Sequence, residues 1–245
     1  MSLTAHAPAG HAASPLHNAV LAQLGAADLR LLQPLEHVRL PARRVLFEPG
    51  EALRYLYLPT RGVVSLVQLD ERGAHPEIVS IGAEGMLGVS ALLGSAGARH
   101  RAFMQTAGAA WRTPLSSARA AFEQSRAFRA MALGFANLLI VQLSQKVLCK
   151  LSHTVEQQLG HWLLAYSDRM KDEPLEVTQE QIAEALGSRR QGVSEATRRL
   201  QNLKVIACAR GRITVLDHAA LERHACGCYR VVRDQLAALG APKQA

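Results

Sequence analysis

The sequence predicts an α+β protein in three parts: an antiparallel, jelly-roll-like β-roll, then one long helix, then a winged helix-turn-helix. Three observations predict it. From Val38 to Pro114, short runs rich in Val, Leu, Ile and aromatics alternate with Pro-Gly, Arg-Gly, Arg-Gly-Ala and Glu-Gly turns. From Ala127 to His153 the chain is apolar nearly all round, as a helix buried on two sides must be. From Leu175 to Leu216 two short helical periods meet at Gly187 and give way to strand-like runs.

The 245 residues allow two ordinary domains with cores of their own. Residues 1–17, rich in Ala, His, Pro and Gly, read as a flexible tail. They lack the basic and apolar regions of a signal peptide. Asn18 to Leu35 fits two short helices broken at Gly25 and Pro34, and residues 18–126 form the β-roll unit. A parallel α/β sheet would need helices between its strands, and none fits. Ser116 to Ser125 begins a helical region.

Residues 127–153 make the long helix, about 40 Å at 1.5 Å per residue. Ala136, Ile140, Leu143, Val147 and Leu151 form one stripe with near-heptad spacing, while Leu133, Leu138, Leu139 and Leu148 cover much of the rest. One side can roof the β-roll, and the other can pair with its copy as a coiled coil. The alternative is a single buried core helix. Thr154 and Gln157 make a capping box that opens the next helix. Ser152-His153-Thr154 is then the hinge between residues 18–153 and the winged helix-turn-helix unit over 154–245.

In that unit Thr178 and Gln181 make a second capping box, and Ile182, Ala183 and Leu186 share one helical face. Gly187 stops the helix. Ser188, with Gln191 three residues on, is expected to cap the second helix. Val193, Ala196, Thr197 and Leu200 point inward on it, leaving Arg189, Arg190, Gln191, Ser194, Glu195 and Arg198 outward. Val205–Cys208 and Ile213–Leu216, joined through Arg210-Gly211-Arg212, read as a wing, and Asp217 caps a last helix. Seven Lys and Arg lie between Ser188 and Arg212, against the single acid Glu195. A solvated face is the ordinary meaning of such a run. Here the charges sit on the helix that enters the major groove in this geometry, which implies binding to double-stranded DNA.

Composition agrees. Net charge is +8 and the pI about 9.8, which favours a polyanionic partner. Aromatics at 4% argue against a surface that stacks on single-stranded bases. No unbroken apolar run reaches the ~20 residues of a membrane span, so no membrane partner is expected. Cys149, Cys208, Cys226 and Cys228 are too few for a disulfide framework, and reduced thiols in a cytoplasmic protein are the simplest account. Cys226-Gly-Cys228 has no second cysteine pair near it in sequence, so a structural role is expected and no metal site is assigned. None of the motifs G-x-S-x-G, H-E-x-x-H or G-x-x-x-x-G-K occurs, no catalytic residues are assigned, and the chain does not read as an enzyme.

A β-roll, a long helix and a winged helix-turn-helix in this order resemble the Crp/Fnr family of bacterial transcription regulators over about residues 18 to 230. The most specific stretches are EPGEALRYLYLPTRGVVSLV, EGMLGVSALLG and TQEQIAEALGSRRQGVSEATRRLQ. The resemblance implies a homodimer on a two-fold symmetric promoter site, an effector at the β-roll, and RNA polymerase as a further partner. A purely structural β-roll without an effector is the alternative. In the cyclic-AMP-binding members a Gly-Glu-Leu holds the ribose and an Arg-Ser neutralises the phosphate. Here Gly88-Val89-Ser90 stands at the first and His100-Arg101 at the second, although a one-residue slip could return an Arg to the phosphate. These five residues are the candidate effector pocket. The implied effector is unknown but is not cyclic AMP, because Val89 replaces the carboxylate, and no cofactor is predicted. The iron–sulfur members use N-terminal cysteines, whereas the first cysteine here is Cys149. His75 is the only β-roll histidine between Arg39 and Arg99, and a turn histidine before Pro76 reads as surface rather than haem ligand.

The resemblance also places Arg190, Gln191 and Glu195 where the family reads bases, with Ser194 beside them as in the oxygen-sensing members. Arg190 suits guanine O6 and N7, and Gln191 suits adenine N6 and N7. Glu195 either accepts from a cytosine amino group or orients Arg198 or Arg199. Thr178, Ser188, Arg189, Arg198, Arg210 and Arg212 complete the expected DNA-binding set, the four arginines mainly on phosphates.

Overall fold

The computed structural model describes residues 14–69, 71, 75–171 and 173–240. Most of the expected tail (1–13), Asp70, the Arg-Gly-Ala turn (72–74), Asp172 and the last five residues lie outside these. The tail reading is corrected at its end: Ser14 caps a 3-10 turn over Pro15–His17.

Two short helices follow, α1 (Ala19–Ala22) and α2 (Ala26–Leu31), then strands β1 (Glu36–Leu40), β2 (Val45–Phe47), β3 (Tyr55–Arg61), β4 (Val64–Val67), β5 (Glu77–Ile81), β6 (Arg101–Met104) and β7 (Gly108–Pro114). They form two antiparallel sheets, β1-β7-β3 and β2-β6-β4-β5. Leu40, Leu56, Leu58 and Ala110 from one sheet meet Phe47, Leu66, Val79, Ile81 and Met104 from the other in a single core. The apolar stretch Met86–Leu92, read as strand-like, instead makes a turn and a 3-10 helix at Val89–Ala91. Asn18, fully buried, ties this region together by donating to Pro59 O and Gly85 O while capping α1.

Next come α3 (Leu115–Gln124) and the long α4 (Arg126–Ser152), which opens on a Ser125 cap. Phe128, Met131, Ala132, Phe135 and Leu138 of α4 are buried in the β-roll core. Glycine is required at position 85, because a Cβ there would lie 2.1 Å from the Phe135 ring. Contrary to the sequence expectation, α4 is long and apolar enough to cross a membrane, with a mean hydropathy of 1.4 over its best window. Isolated Gln, Ser and Lys residues interrupt the apolar run but leave its mean hydropathy high, and one face of the helix packs on the β-roll.

Beyond the bend at His153, α5 (Val155–Met170) starts at the Thr154 capping box. Then follow β8 (Leu175–Glu176), α6 (Gln179–Leu186), α7 (Arg190–Asn202), β9 (Ile206–Ala209), β10 (Arg212–Val215) and α8 (His218–His224). A second core joins Leu159, Leu163, Ile182, Leu186, Val193, Leu200, Ile213 and Leu221. The wing has three strands in the order β8-β10-β9. Two features correct the sequence reading. The strand β8 was not expected, and the helix capped by Asp217 is not the last. A further helix, α9 (Cys228–Gly240), turns back along α4 and lays Leu236 and Leu239 on the β-roll core.

The two cores touch through a buried polar cluster. Glu77 of β5, 3% exposed, accepts hydrogen bonds from Ser65, Tyr166 and, at 3.2 Å, Trp162 Nε1. Burial, and then the Glu77 carboxylate, raise the Tyr166 phenol well above its ordinary range, so it stays a donor. Arg169 of α5 pairs with Glu84 at 2.8 Å beside it.

Candidate nucleic-acid interface

The helix pair α6–α7 follows from local chemistry. Thr178 and Gln181 exchange the two bonds of a capping box, and Gly187 takes φ 55°, the left-handed C-cap a glycine adopts at least cost. The Ser188 N–H then returns to Ala183 O at 2.9 Å. This closure corrects the expected second cap. The Ser188 N–H closes the end of α6 and its hydroxyl donates to Leu186 O, and Ser188 does not cap α7. Arg189 occupies that position without a side-chain bond, and α7 begins at Arg190. Lys150 at the end of α4 donates to the Leu186 and Gly187 carbonyls, a cation at the negative end of α6.

Val193, Ala196, Thr197 and Leu200 are buried as expected. Arg189, Arg190, Gln191, Glu195 and Arg198 are exposed along the opposite face. Arg190 pairs with Glu180 at 3.5 Å, with side chains 70% and 59% exposed, and such a pair contributes only about 0.2–1 kcal/mol. It can therefore be exchanged for a base edge at little cost. Gln191 donates to Glu195 at 3.1 Å, so Glu195 is oriented by Gln191 in this structure, whereas Arg199 pairs with Glu156. Ser194 departs from the expected outward position. It is half-buried and donates to Gln179 of α6 at 2.6 Å, which locks the two helices together. In the wing, Arg210 and Gly211 take φ 47° and 77°, a two-residue turn that leaves Arg210 exposed. Arg212 reaches Glu176 across β8 at 2.7 Å.

The five residues of the candidate effector pocket differ in their surroundings. Val89 is 4% exposed within the β-roll core, whereas Ser90 faces outward. His100 holds Gln68 at 2.8 Å, and burial keeps its pKa below the ordinary value, favouring the neutral ring. Arg101 pairs with Glu48 at 3.2 Å. A cavity of about 400 Å³ beside β3 is lined by Phe47, Glu51, Arg54, Tyr55 and Tyr57, and by none of the five. His75, expected on the surface, is half-buried and pairs with Glu184 of α6 at 3.4 Å.

Of the expected dimer stripe, Ile140, Leu143, Val147 and Leu151 are exposed at 62%, 39%, 61% and 81%. Leu133 and Leu148 are exposed as well. Ala136 departs from the stripe and packs on the β-roll core. Cys149, Cys226 and Cys228, from two distant parts of the sequence, come together in space. Cys149 lies 3.4 Å from Cys226, and His153 and Cys228 complete a tight group that was not assigned as a site.

A model described as a cyclic nucleotide-binding domain matches residues 37–125, and one described as a Crp-like helix-turn-helix domain matches residues 157–224. FixK2 from Bradyrhizobium japonicum is similar in structure, with a TM-score of 0.68 and 14% identity, covering 79% of this chain and 98% of its own. A CRP-family transcriptional regulator from Thermus thermophilus gives 0.65 and 23%, covering 77% and 96%. The c-di-GMP responsive global regulator CLP of Xanthomonas campestris gives 0.62 and 17%, covering 78% and 99%. At these identities the likeness establishes the fold. No curated protein sequence matches the chain.

Proposed function

The chain belongs to the Crp/Fnr family of transcription regulators, and from that premise we propose that it acts as a cytoplasmic homodimer on a two-fold symmetric promoter site. Members of this family are regulators rather than enzymes. The observation that carries the reading is the outward face of α7. Arg189, Arg190, Gln191, Glu195 and Arg198 are exposed on a helix whose other face is packed. Arg190 and Gln191 supply the base contacts, with Glu195 set by Gln191, while Arg189, Arg198, Arg210 and Arg212 hold phosphates. Thr178 and Ser188 fix the turn that presents α7. RNA polymerase is the expected partner once the dimer is on DNA.

The exposed α4 stripe supports pairing with a second copy, since one helix-turn-helix reads only one half-site. At the β-roll, Val89 is buried, His100 is kept neutral and Arg101 is engaged by Glu48. This arrangement argues for an effector other than cyclic AMP. Selection of bound duplexes from a random pool tests the reading. It predicts enrichment of an inverted repeat whose half-site centres lie about 10 base pairs, or a multiple of that, apart. Enrichment of no sequence overturns it.

A further inference from the structure

Cys149 lies in the last turn of α4 and His153 is the C-cap of that helix, four residues on. Cys226 lies between α8 and α9, and Cys228, past Gly227, opens α9. Because α9 runs back along α4, the two pairs meet. Cys149 Sγ lies 3.4 Å from Cys226 Sγ, and Cys228 Sγ lies 3.7 Å from His153 Nδ1. All four donor atoms fall within 4.8 Å of one another. The three cysteines are buried, unbridged, and form a small cluster of their own.

Zinc bound tetrahedrally, with Zn–S near 2.3 Å and Zn–N near 2.0–2.1 Å, sets its ligand atoms about 3.5–3.8 Å apart. The Cys149–Cys226 and Cys228–His153 separations are close to that range. A donor set of three sulfurs and one imidazole, without a carboxylate, suits zinc and not magnesium or calcium. A disulfide would use only two of the four residues and would leave the positions of Cys228 and His153 unexplained. His161 Nδ1 lies 3.6 Å from Cys226 Sγ, placed to donate to a bound thiolate from outside the set. Zn²⁺ with three thiolates carries one net negative charge, and Lys146 and Lys150 line the small adjoining cavity with Cys149 and His161.

We propose that Cys149, His153, Cys226 and Cys228 bind one Zn²⁺. The metal fastens the start of α9 to the end of α4, at the bend from which α5 leaves. Binding releases the three thiol protons to solvent. Zinc therefore sets the stiffness of the joint between the β-roll unit and the DNA-binding unit.

The test uses the full-length protein, purified untagged under reducing conditions, with zinc measured by elemental mass spectrometry. One zinc per chain is expected in the wild type and in Cys208→Ser, and none in Cys149→Ser or Cys228→Ser. Chelated wild-type protein titrated with Co²⁺ supplies a reading independent of whether the variants fold. Thiolate-to-cobalt charge transfer and the intense visible bands of tetrahedral cobalt are expected. Hydrogen exchange across residues 226–240 should quicken on chelation and slow again with zinc. His153→Gln should weaken zinc binding more than His161→Gln. Metal-free wild-type protein with a weak, octahedral cobalt spectrum overturns the proposal. So does a Cys149–Cys226 disulfide in protein kept reduced, and the reverse order of the two histidine variants overturns the ligand set.

Discussion

The outer face of α7 and the candidate effector residues of the β-roll, Gly88–Ser90 with His100 and Arg101, differ in what the chain has already done with their side chains. On α7 the arginines are held, if at all, by exposed ion pairs such as Arg190–Glu180, whose small energies leave them free to change partners. At the β-roll, Val89 is sunk in the core, His100 is bound to Gln68 and Arg101 to Glu48. A binding face keeps its polar groups cheaply available, whereas a polar stretch satisfied from within serves mainly to build its own scaffold. By that criterion the outer face of α7 changes partners the more readily of the two.

The comparison can be broken first at the exposed stripe of α4, where the expected effect is largest. Ile140→Glu with Val147→Glu places two carboxylates on the exposed stripe and should give monomers without specific DNA binding. A double variant that still sediments as a dimer would show that the interface lies elsewhere. Next in size is the cluster between the halves. Glu77→Ala removes the acceptor shared by Ser65, Tyr166 and Trp162 and should cost about 3 kcal/mol or more, because buried donors are left unpaired. Urea unfolding measures this, and a loss below about 1 kcal/mol would mean that the cluster does not hold the halves together.

Smaller still is the effect expected at the effector turn. Without a carboxylate at position 89, cyclic AMP forgoes about 1.5–3 kcal/mol, ten- to a hundredfold or more in affinity. Calorimetry should detect no micromolar binding, and micromolar binding that also tightens DNA binding would contradict the account. The smallest effect belongs to the wing. Arg212→Ala should weaken all DNA sequences alike and flatten the salt dependence by about one unit. Because Arg212 first has to leave Glu176, a change confined to one sequence would assign it to base reading instead.

The parts of this arrangement legible in the sequence are those set by neighbours along the chain. The Thr154 and Thr178 capping boxes, the Gly187 stop and the inward stripe of α7 follow from spacing alone, and the structure has them. What escaped depends on chain returning from far away. Ser188 loses its cap because its N–H is drawn back to Ala183, and Ser194 turns inward to Gln179. Cys149 and Cys226 meet only because α9 folds back across 77 residues. A signal did exist, in the apolar spacing of Val232, Leu236 and Leu239 and in Cys149-x-x-x-His153. Neither element binds a metal alone, so the pairing is visible only in the fold.

The central claim is that α7 reads bases through Arg190. Sequences selected by the wild type and by Arg190→Ala, compared at equal salt, test it most directly. The account predicts a loss of about 1–3 kcal/mol on the wild-type site and a relaxed preference at one base pair per half-site. An unchanged consensus would contradict it.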